Sequence, residues 1–533
     1  MPPIASSLSP NLSLKRVVRK PSVRSKGGIV VTQNRVASEI GARVLKEGGH
    51  AVDAAIAAAF AVGVVEPWMS GVGGVGAMLV LEAKTGKVTA IDFGGRSPKG
   101  LKVEDFPLAG GLDEGNLFGW PLVKDNRNTT GAKALVAPTQ PAGLALAHKM
   151  FGTKPWASLV GPAIPLAEEG PVVDWHTMLV IASGLSDLQK DKGASERFLR
   201  RGLPPVPAAP QAGLAQLRLP APALARTLRA IAEEGAGVLY RGALARTIAE
   251  DVQALGGYLT EEDLAAVAPR EREPLRFGYR DRTLHVLPEL NGGPTLAVAF
   301  EDLKKRGSPH GAGPDGQRFV AYAKALETAW ADRFKRMGDA GERSVPTSTT
   351  HLSVIDRHGN IVTLTQTLLS LFGSRVVLPQ SGILMNNGIN WFDPRPGGPN
   401  GLAADRRGLS NYVPTIMTGA GETMGIGGCG GRRIIPAVFQ LLAMTADYGL
   451  DLDTSFHQPR VDVSGGVAVT IDRRLPAEAR KILDEACTTI LADPVLYPFP
   501  FTIAGAVRRT SAGNEGATEP EQPWSEAVAE DEV

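Results

Sequence analysis

The sequence has few of the residues that cross-link a chain or bind metal. Its 533 residues contain only two cysteines, Cys429 and Cys487, which excludes a disulfide framework and any cysteine-rich zinc or iron–sulfur site. The eight histidines are scattered, none at His-x-x-x-His spacing, and the HExxH, GxSxG and GK[ST] motifs are missing. We therefore expect a protein that needs no metal and no cofactor.

Charge of one sign and long apolar runs are missing as well. Lys and Arg number 57 and Asp and Glu number 55, so the net charge of +2 argues against a nucleic-acid partner bound through bulk charge. The most apolar run, residues 51–65, is short for a membrane span, carries Asp53 and predicts a buried helix. No apolar stretch follows the basic N-terminus, so we expect no secretory signal, no membrane partner and a cytoplasmic location.

What the sequence does have is a large apolar fraction and many turn residues. Hydrophobic residues make up 43% of the chain, and 62 glycines and 40 prolines imply many tight turns. Helix-like and strand-like runs alternate throughout, which predicts an α/β or α+β layered fold. Helices are predicted after Asn34 and at about 222–234, 317–337 and 433–449, with a loop-rich stretch at 373–433. The two ends are predicted to be tails: a disordered basic tail at residues 1–26 and a solvated acidic tail from about residue 515.

Two glycine-rich stretches match GxGxxG, at Gly71–Gly76 and Gly425–Gly430. The first lies between a helix and a strand in the reverse of the dinucleotide-binding order, and the second lacks a surrounding β–α–β unit, so nucleotide binding is disfavoured. The second stretch continues through Gly431 into a predicted helix. Backbone N–H groups there suit an oxyanion hole, and a flexible entry loop is the alternative.

The most informative segment is Thr347–Asp356, which is rich in threonine. A threonine hydroxyl is a weak nucleophile unless a base lies beside it, and its own α-amine becomes that base if the chain is cut before it. The small polar loop ahead of the segment suits the strained geometry of self-cleavage. A plain threonine-rich strand start is the alternative, and His351 is as readily a structural strand residue as a functional one.

A predicted hairpin brings a second threonine to this segment. The runs HLSVID and IVTLTQT flank a short turn, and if His358 and Gly359 form a two-residue turn, paired positions sum to 717. Thr350 then faces Thr367, and Thr349 is one residue away. A longer turn would shift this register by one residue.

These motifs, in this order, resemble those of the γ-glutamyltransferases (γ-glutamyltranspeptidases), N-terminal-nucleophile hydrolases that cut themselves into two subunits. The resemblance runs from about residue 27 to about residue 525. It rests on GGHAVDAAIAAAFAVGVVEPWMSGVGG, TTHLSVIDRHGN, SGILMNNGINWFDPRPG, PTIM, GGCGGRRII, DYGLDL, HQPR and GATEP. It implies a four-layer αββα sandwich.

The resemblance also assigns roles to residues. It implies autocleavage between Ser348 and Thr349, which gives a large subunit of residues 27–348 and a small catalytic subunit of residues 349–533. Thr349 would be the nucleophile and its amine the general base, and Thr367 matches the family's second threonine. Gly430 and Gly431 match the glycines whose N–H groups form the oxyanion hole.

The substrate pocket departs from the family pattern. The family's arginine for the substrate α-carboxylate follows an aromatic residue, where this chain reads Phe93-Gly94-Gly95-Arg96, so a displaced Arg96 is the candidate. The family's Ser-Ser pair becomes Ser410-Asn411. The positions for the substrate α-amine are Leu369, Gly388 and Trp391, which leaves Asp393 as the candidate replacement for the lost acid.

Three functions follow. The first is a self-processing acyltransferase or amidohydrolase of glutathione metabolism, which passes a γ-glutamyl-type acyl group from threonine to water or an amine. The first alternative is an acylase for an acyl amide with a carboxylate but no α-amine, oxamate-like or glutaryl-like. The second is a non-catalytic binding protein. The expected partners are a small-molecule amide, an acceptor and the two subunits of one precursor, and a homo-oligomer is left open.

Overall fold

The computed structural model describes residues 13, 15–112, 120–207, 216–337, 348–495 and 499–533. The strands are β1 Val23–Ser25, β2 Ile29–Thr32, β3 Val75–Leu81, β4 Val88–Phe93, β5 Leu108–Leu112, β6 Pro121–Val123, β7 Arg270–Arg272, β8 Leu275–Tyr279, β9 Arg282–Val286, β10 Ser348–Ile355, β11 Ile361–Leu369, β12 Thr415–Gly419, β13 Glu422–Cys429, β14 Val461–Asp462, β15 Val469–Asp472, β16 Thr489–Ala492, β17 Ile503–Thr510, β18 Gly513–Thr518 and β19 Glu526–Ala529. The helices are α1 Arg35–Lys46, α2 Ala51–Val65, α3 Gln140–Phe151, α4 Trp156–Val160, α5 Ala163–Glu169, α6 Trp175–Ser183, α7 Leu185–Leu188, α8 Lys192–Phe198, α9 Pro222–Glu234, α10 Ala243–Ala254, α11 Glu261–Ala265, α12 Gly293–Leu303, α13 Gly316–Met337, α14 Ile434–Tyr448, α15 Leu452–His457 and α16 Ala477–Ala486.

Two seven-stranded antiparallel sheets form the centre of the structure. The first has the order β19-β2-β10-β11-β3-β4-β7, and the second has the order β1-β18-β17-β13-β12-β9-β8. An apolar cluster that includes Val31, Leu79, Ile361 and Val507 draws side chains from both sheets, so the sheets pack face to face.

Helices cover the outer face of each sheet. The first sheet packs against α1, α2 and α3 in one large apolar cluster, and the second packs against α12 and α14 in another, with α13 packed on α12. Every residue of α2 is buried, as the sequence predicted, because its small side chains fit between the sheet and helices α1, α4 and α5. The predicted αββα order is confirmed. Among the described residues, none of the helices is long and apolar enough to cross a membrane.

Glycines on β13 let the two sheets approach each other. A Cβ added to Gly427 would lie 2.3 Å from Cε1 of His351, and one added to Gly425 would lie 2.5 Å from Cγ2 of Ile361. No side chain fits at either position, so glycine is required here for packing. The prediction that residues 373–433 are loops was therefore wrong at β12 and β13, because an interior glycine-rich strand has the composition of a loop.

The predictions for the two ends of the chain were also wrong where the structure describes them. Residues of the predicted basic tail form β1, which pairs with β18 in the predicted acidic tail. Arg24 forms a 3.2 Å ion pair with Oε1 of Glu515, and Nζ of Lys20 donates to the carbonyl of Ser525 at 2.8 Å. Arg16 forms a 2.8 Å ion pair with Glu521. Charge complementarity between the two ends orders both, and residues 1–12 and 14 lie outside the described residues.

Candidate active site

The two predicted threonines meet at one end of the central hairpin. Oγ1 of Thr349 and Oγ1 of Thr367 are 3.2 Å apart, and both residues are buried. The backbone N–H of Leu369 donates to Oγ1 of Thr367 at 2.8 Å, which fixes this hydroxyl against Thr349. The pair therefore has the geometry of a nucleophile with a supporting hydroxyl.

The hairpin register differs from the prediction by one residue. Pairs such as Ile355 with Ile361 sum to 716, because residues 357–359 form a three-residue turn closed by Asp356 and Asn360. A bulge at the start of β10 then sets Thr349, and not Thr350, beside Thr367.

Thr350 points to the other face of the sheet and anchors a polar network. Its Oγ1 accepts a hydrogen bond from Ser70 at 2.9 Å, and Ser70 in turn accepts one from Nε2 of Gln366 at 3.1 Å. This network ties the nucleophile strand to the glycine-rich stretch after α2. Glycine is needed there as well, since a Cβ on Gly74 would lie 2.6 Å from the carbonyl oxygen of Thr367.

The predicted cleavage site opens β10. The backbone of Ser348 pairs with Leu369, so the bond between Ser348 and Thr349 lies inside a strand. The preceding residues 338–347 and the side chain of Ser348 lie outside the described residues.

Strand β13 runs toward the two threonines. Gly427 contacts His351 on β10, and Cys429, two residues on, shares an apolar cluster with Leu368, the residue after Thr367. Burial raises the pKa of the Cys429 thiol far above its ordinary value, so this cysteine is a packed side chain and not a reactive one.

The two glycines predicted to form the oxyanion hole come directly after Cys429 in the chain. Gly430 and Gly431 have φ values of +130° and +61°, which favour glycine, and Gly431 begins a short 3₁₀ turn that leads into α14. Their backbone N–H groups thus lie between the end of β13 and a helix, at the end of the hairpin that carries Thr349.

His351 is a structural residue. Its Nδ1 lies 3.1 Å from Oγ1 of Thr365, and its Nε2 lies 2.9 Å from Oγ of Ser353. Burial lowers its pKa to about 3, so the ring is neutral at physiological pH and its hydrogen bonds run away from Thr349. The functional interpretation of this histidine is not supported.

The predicted carboxylate-binding Arg96 is exposed and paired with Asp405 at 2.9 Å. A different arginine fills the place that the family pattern gives to Gly94. A Cβ on Gly94 would lie 2.8 Å from Nη2 of Arg407, which also donates to Oδ1 of Asp92 at 2.6 Å. Sequence reasoning missed Arg407 because it lies 315 residues from Asp92 along the chain, and only the glycine that makes room for it was a signal.

Arg96 and Arg407 line one cleft at the edge of the first sheet. Gly94 follows β4 at the end where Val75 of β3 pairs with Thr367 of β11. The cleft therefore lies toward the same end of the strands as the nucleophile.

The predicted Ser410-Asn411 pair is buried and held by an arginine on α13. Nη2 of Arg333 donates to the carbonyl of Ser410 at 2.7 Å and to Oδ1 of Asn411 at 2.9 Å. Oγ of Ser410 donates to Asn291. Burial lowers the pKa of Arg333 to about 9, with nearby Arg432 acting in the same direction.

Trp391 fills the region where the family places groups for a substrate amine. Its side chain packs against three glycines, since a Cβ on Gly95, Gly388 or Gly408 would lie 3.4, 3.1 or 2.7 Å from it. Asp393 is not a free acid, because Nη2 of Arg395 bonds Oδ2 at 2.7 Å and its Nε contacts both carboxylate oxygens. Among the described residues, no three His, Cys, Asp or Glu side chains cluster in a way that would hold a metal ion.

Comparison with known proteins gives consistent matches along the chain. A family model described as gamma-glutamyltranspeptidase matches residues 37–348 and 341–529. A glutathione hydrolase proenzyme of Escherichia coli (strain K12) is 32% identical over 494 residues, which cover 82% of this chain and 81% of the relative. An acylase ACY 1 proenzyme of Pseudomonas sp. (strain SE83) is 31% identical over 87% of each chain. The solved cephalosporin acylase from Bacillus halodurans aligns with a TM-score of 0.82 at 25% identity, over 97% of this chain and 98% of that one.

Proposed function

Because the chain belongs to the γ-glutamyltranspeptidase family, we propose that it cuts itself before Thr349 and then uses this threonine to cleave an amide. As the motifs predicted, the chain is an amide hydrolase or acyltransferase of the N-terminal-nucleophile type, so the non-catalytic alternative is set aside. The observation that carries the proposal is the 3.2 Å contact between Thr349 and Thr367.

Self-cleavage begins with Oγ1 of Thr349 attacking the carbonyl carbon of Ser348. The C–N bond breaks as the Thr349 nitrogen takes the proton that Oγ1 gives up, so the acyl group moves from nitrogen to oxygen. Water then hydrolyses the ester to a Ser348 carboxylate and a free Thr349 hydroxyl. The Thr349 α-amine is left as a free amine. The Thr367 hydroxyl, fixed by Leu369 N–H, supports Thr349 Oγ1 during both steps.

In turnover, the α-amine accepts the hydroxyl proton as Oγ1 of Thr349 attacks the substrate carbonyl. The N–H groups of Gly430 and Gly431 stabilise the negative charge on the carbonyl oxygen. The α-ammonium then protonates the leaving amine, and an acyl ester remains on Thr349. Water or an acceptor amine, deprotonated by the same α-amine, releases the acyl group as an acid or as a new amide.

The donor that fits this pocket carries a carboxylate but no α-amine, as in the first alternative from the sequence. An α-ammonium would meet the Trp391 indole and find Asp393 already paired with Arg395. It would lose hydrogen bonds worth about 1–3 kcal/mol each. Arg407, next to Gly94, bonds Asp92 through Nη2, and because a guanidinium has further N–H donors, it supports recognition of the carboxylate.

The nucleophile is tested by intact mass under denaturing conditions. Wild type is expected to give fragments of about 37 and about 19 kDa, by the shares 348/533 and 185/533 of 56.1 kDa, with Thr349 as the new N-terminus. Thr349→Ala is expected to stay at 56.1 kDa. An intact wild-type chain without turnover would contradict the proposal.

The donor class is tested with two anilides that differ only in the α-amine, glutaryl and γ-glutamyl. We expect kcat/KM for the glutaryl anilide to be at least about tenfold higher, because one unmade charged hydrogen bond is worth that much. A preference for the γ-glutamyl anilide would contradict this donor class and support the first function predicted from the sequence, transfer or hydrolysis of a γ-glutamyl group.

A further inference from the structure

A cavity of about 500 Å³ lies between the start of α1, the end of α2, the start of α6 and the residues that lead into β19. Its volume falls within the range of cavities that bind small organic molecules, about 300–1,000 Å³. None of the residues predicted for catalysis or for donor binding is among the described residues that line it. The cavity is therefore distinct from the site proposed for amide cleavage.

The wall of this cavity holds one buried carboxyl group, that of Glu66, which is 4% exposed. Among the described residues, the only side-chain atom within hydrogen-bond distance of this carboxyl is Nδ2 of Asn34, 3.5 Å from Oε1. That distance is the outer limit of a hydrogen bond. Buried carboxyl groups in native proteins are normally paired with a cation or bonded by several donors. Glu66 thus has bonding capacity left for a ligand in the cavity.

The proton on Glu66 responds to what lies beside it. Burial raises the pKa of the Glu66 carboxyl to about 8, nearby Asp174 acts in the same direction, and the contact with Asn34 acts against both. The carboxyl therefore keeps its proton at neutral pH when no cation is near. A cation beside it would favour the ionised form. Binding of a cationic ligand is thus linked to the release of about one proton at pH 7.

The other charged groups of the wall also favour a cation. Nε of Arg35 lies 2.7 Å from Glu39, so the charge of this arginine is matched. Nη1 of Arg218 lies 3.7 Å from Glu169. Burial lowers the pKa of His176 to about 4, so its ring is neutral at physiological pH. The acids that remain in the wall are Glu66, Asp174 and Glu526.

Aromatic side chains supply the apolar part of the wall. The rings of His176 and Trp524 are stacked with their centroids 4.2 Å apart, and the ring of Trp68 meets His176 edge-on at 6.2 Å. The indole N–H of Trp524 donates to Oδ2 of Asp174, which fixes this ring. Aromatic surface beside a carboxylate suits an ammonium group attached to an apolar body.

We propose that this cavity binds an organic ammonium ion, with the ammonium group on Glu66 and the apolar body against Trp68 and Trp524. This ligand site is independent of the amide-cleavage chemistry proposed for Thr349. The ammonium would donate a hydrogen bond to the Glu66 carboxylate, and the proton that the carboxyl loses would pass to the solvent. No covalent bond would form or break.

The test is a calorimetric titration of the purified protein with benzylamine, which is charged at pH 7, and with benzyl alcohol, its neutral counterpart. We expect benzylamine to bind at least about tenfold more tightly, because a hydrogen bond between charged groups is worth at least that much. Titrations in two buffers of different ionisation enthalpy count protons, and about one proton should be released per benzylamine bound. Equal affinities for the amine and the alcohol, or no binding of the amine, would overturn the inference.

Glu66→Gln keeps the shape of the protonated side chain and removes its ionisation. We expect this variant to bind benzylamine at least about tenfold more weakly and to release no proton. Glu47→Gln, at the exposed residue after α1, is the matched control and should match wild type.

Benzylamine bound near Thr349 as an acceptor amine would bind equally well to wild type and to Glu66→Gln, and that result would also overturn the inference. The proton count in wild type does not depend on how well the variant folds. Failure of the proposed function is recognised separately, as a wild-type protein that neither cleaves itself nor turns over.

Discussion

The guanidinium of Arg407 occupies the space that a side chain at Gly94 would need, with Nη2 2.8 Å from the position of a Cβ there. A positive group from a different part of the chain thus reaches the position where we propose that the donor carboxylate binds. The guanidinium of Arg407 also forms a salt bridge with the buried carboxylate of Asp92, so the two residues act as a pair.

Arg407, and not Arg96, is expected to recognise the donor carboxylate. Arg407→Gln alone would strand a buried carboxylate, which destabilises by about 3–5 kcal/mol, so it is made together with Asp92→Asn. We expect the double variant to lose at least about tenfold in kcat/KM on the glutaryl anilide, mainly through KM. Arg96→Gln is the control, and a larger loss there would reverse the assignment.

Thr367→Val is expected to slow self-cleavage and turnover by about 10²-fold, since it removes the hydroxyl 3.2 Å from Thr349 and keeps the side-chain shape. Thr367→Ser keeps the hydroxyl and is the matched control. The rates come from the time course of the two fragments and from the burst of product. Equal rates for the valine and serine variants would remove Thr367 from the mechanism.

Leu369 has a φ of +83°, a left-handed conformation that strains leucine and that asparagine adopts more readily. Leu369→Asn is therefore expected to cost about 1–2 kcal/mol less stability than Leu368→Asn, the neighbouring buried leucine. It should also raise γ-glutamyl turnover, because it adds an amide beside Thr367. Denaturant unfolding and the γ-glutamyl anilide assay measure the two effects, and equal losses for the two variants would contradict the strain argument.

Gly427→Ala is expected to destabilise the protein by about 1–3 kcal/mol or more, because the new Cβ would lie 2.3 Å from the His351 ring between two packed sheets. Gly100→Ala is the control, since a Cβ there would meet nothing within 4 Å. Thermal unfolding of both variants measures the difference. Equal melting temperatures would show that the sheets separate easily.

Stability is expected to fall as pH drops from about 6.5 toward 4. Burial lowers the pKa of His351 to about 3, so below pH 6.5 the unfolded state binds a proton that the folded state does not. Each such histidine adds a slope of up to about 1.4 kcal/mol per pH unit in this window. His351→Gln should flatten the curve of unfolding free energy against pH, and an unchanged curve would contradict the prediction.

Local signals predicted much of the fold. The apolar run at residues 51–65 forms α2 over that same span, and the capping residue Asn34 begins α1. Thr349 and Thr367 lie on adjacent strands of one hairpin, so their contact followed from a single turn. The one-residue error in register came from Asp356, whose carboxylate accepts hydrogen bonds from His358 and Asn360 and widens that turn.

What the sequence did not reveal depends on residues far apart. The glycines of β13 are needed because of His351 and Ile361 on the other sheet, so composition alone suggested a loop. The basic and acidic ends of the chain have the composition of solvated tails. Each is ordered by contacts with the other, and contacts between residues so far apart cannot be read from the sequence. The sequence around Arg407 does not indicate that its guanidinium lies beside Gly94, because the space it occupies exists only where Gly94 has no side chain.

The pairing of β19 with β2 brings the two ends of the chain together while Thr349 lies in the middle of the sequence. A gene reordered to begin at Thr349, with Val533 joined by a short linker to the segment before β1, would keep every strand neighbour described above. After removal of the initiator methionine, such a protein would carry its nucleophilic amine from synthesis onward. Its cleavage of substrate amides would not depend on self-cleavage, because it would lack the peptide bond between Ser348 and Thr349.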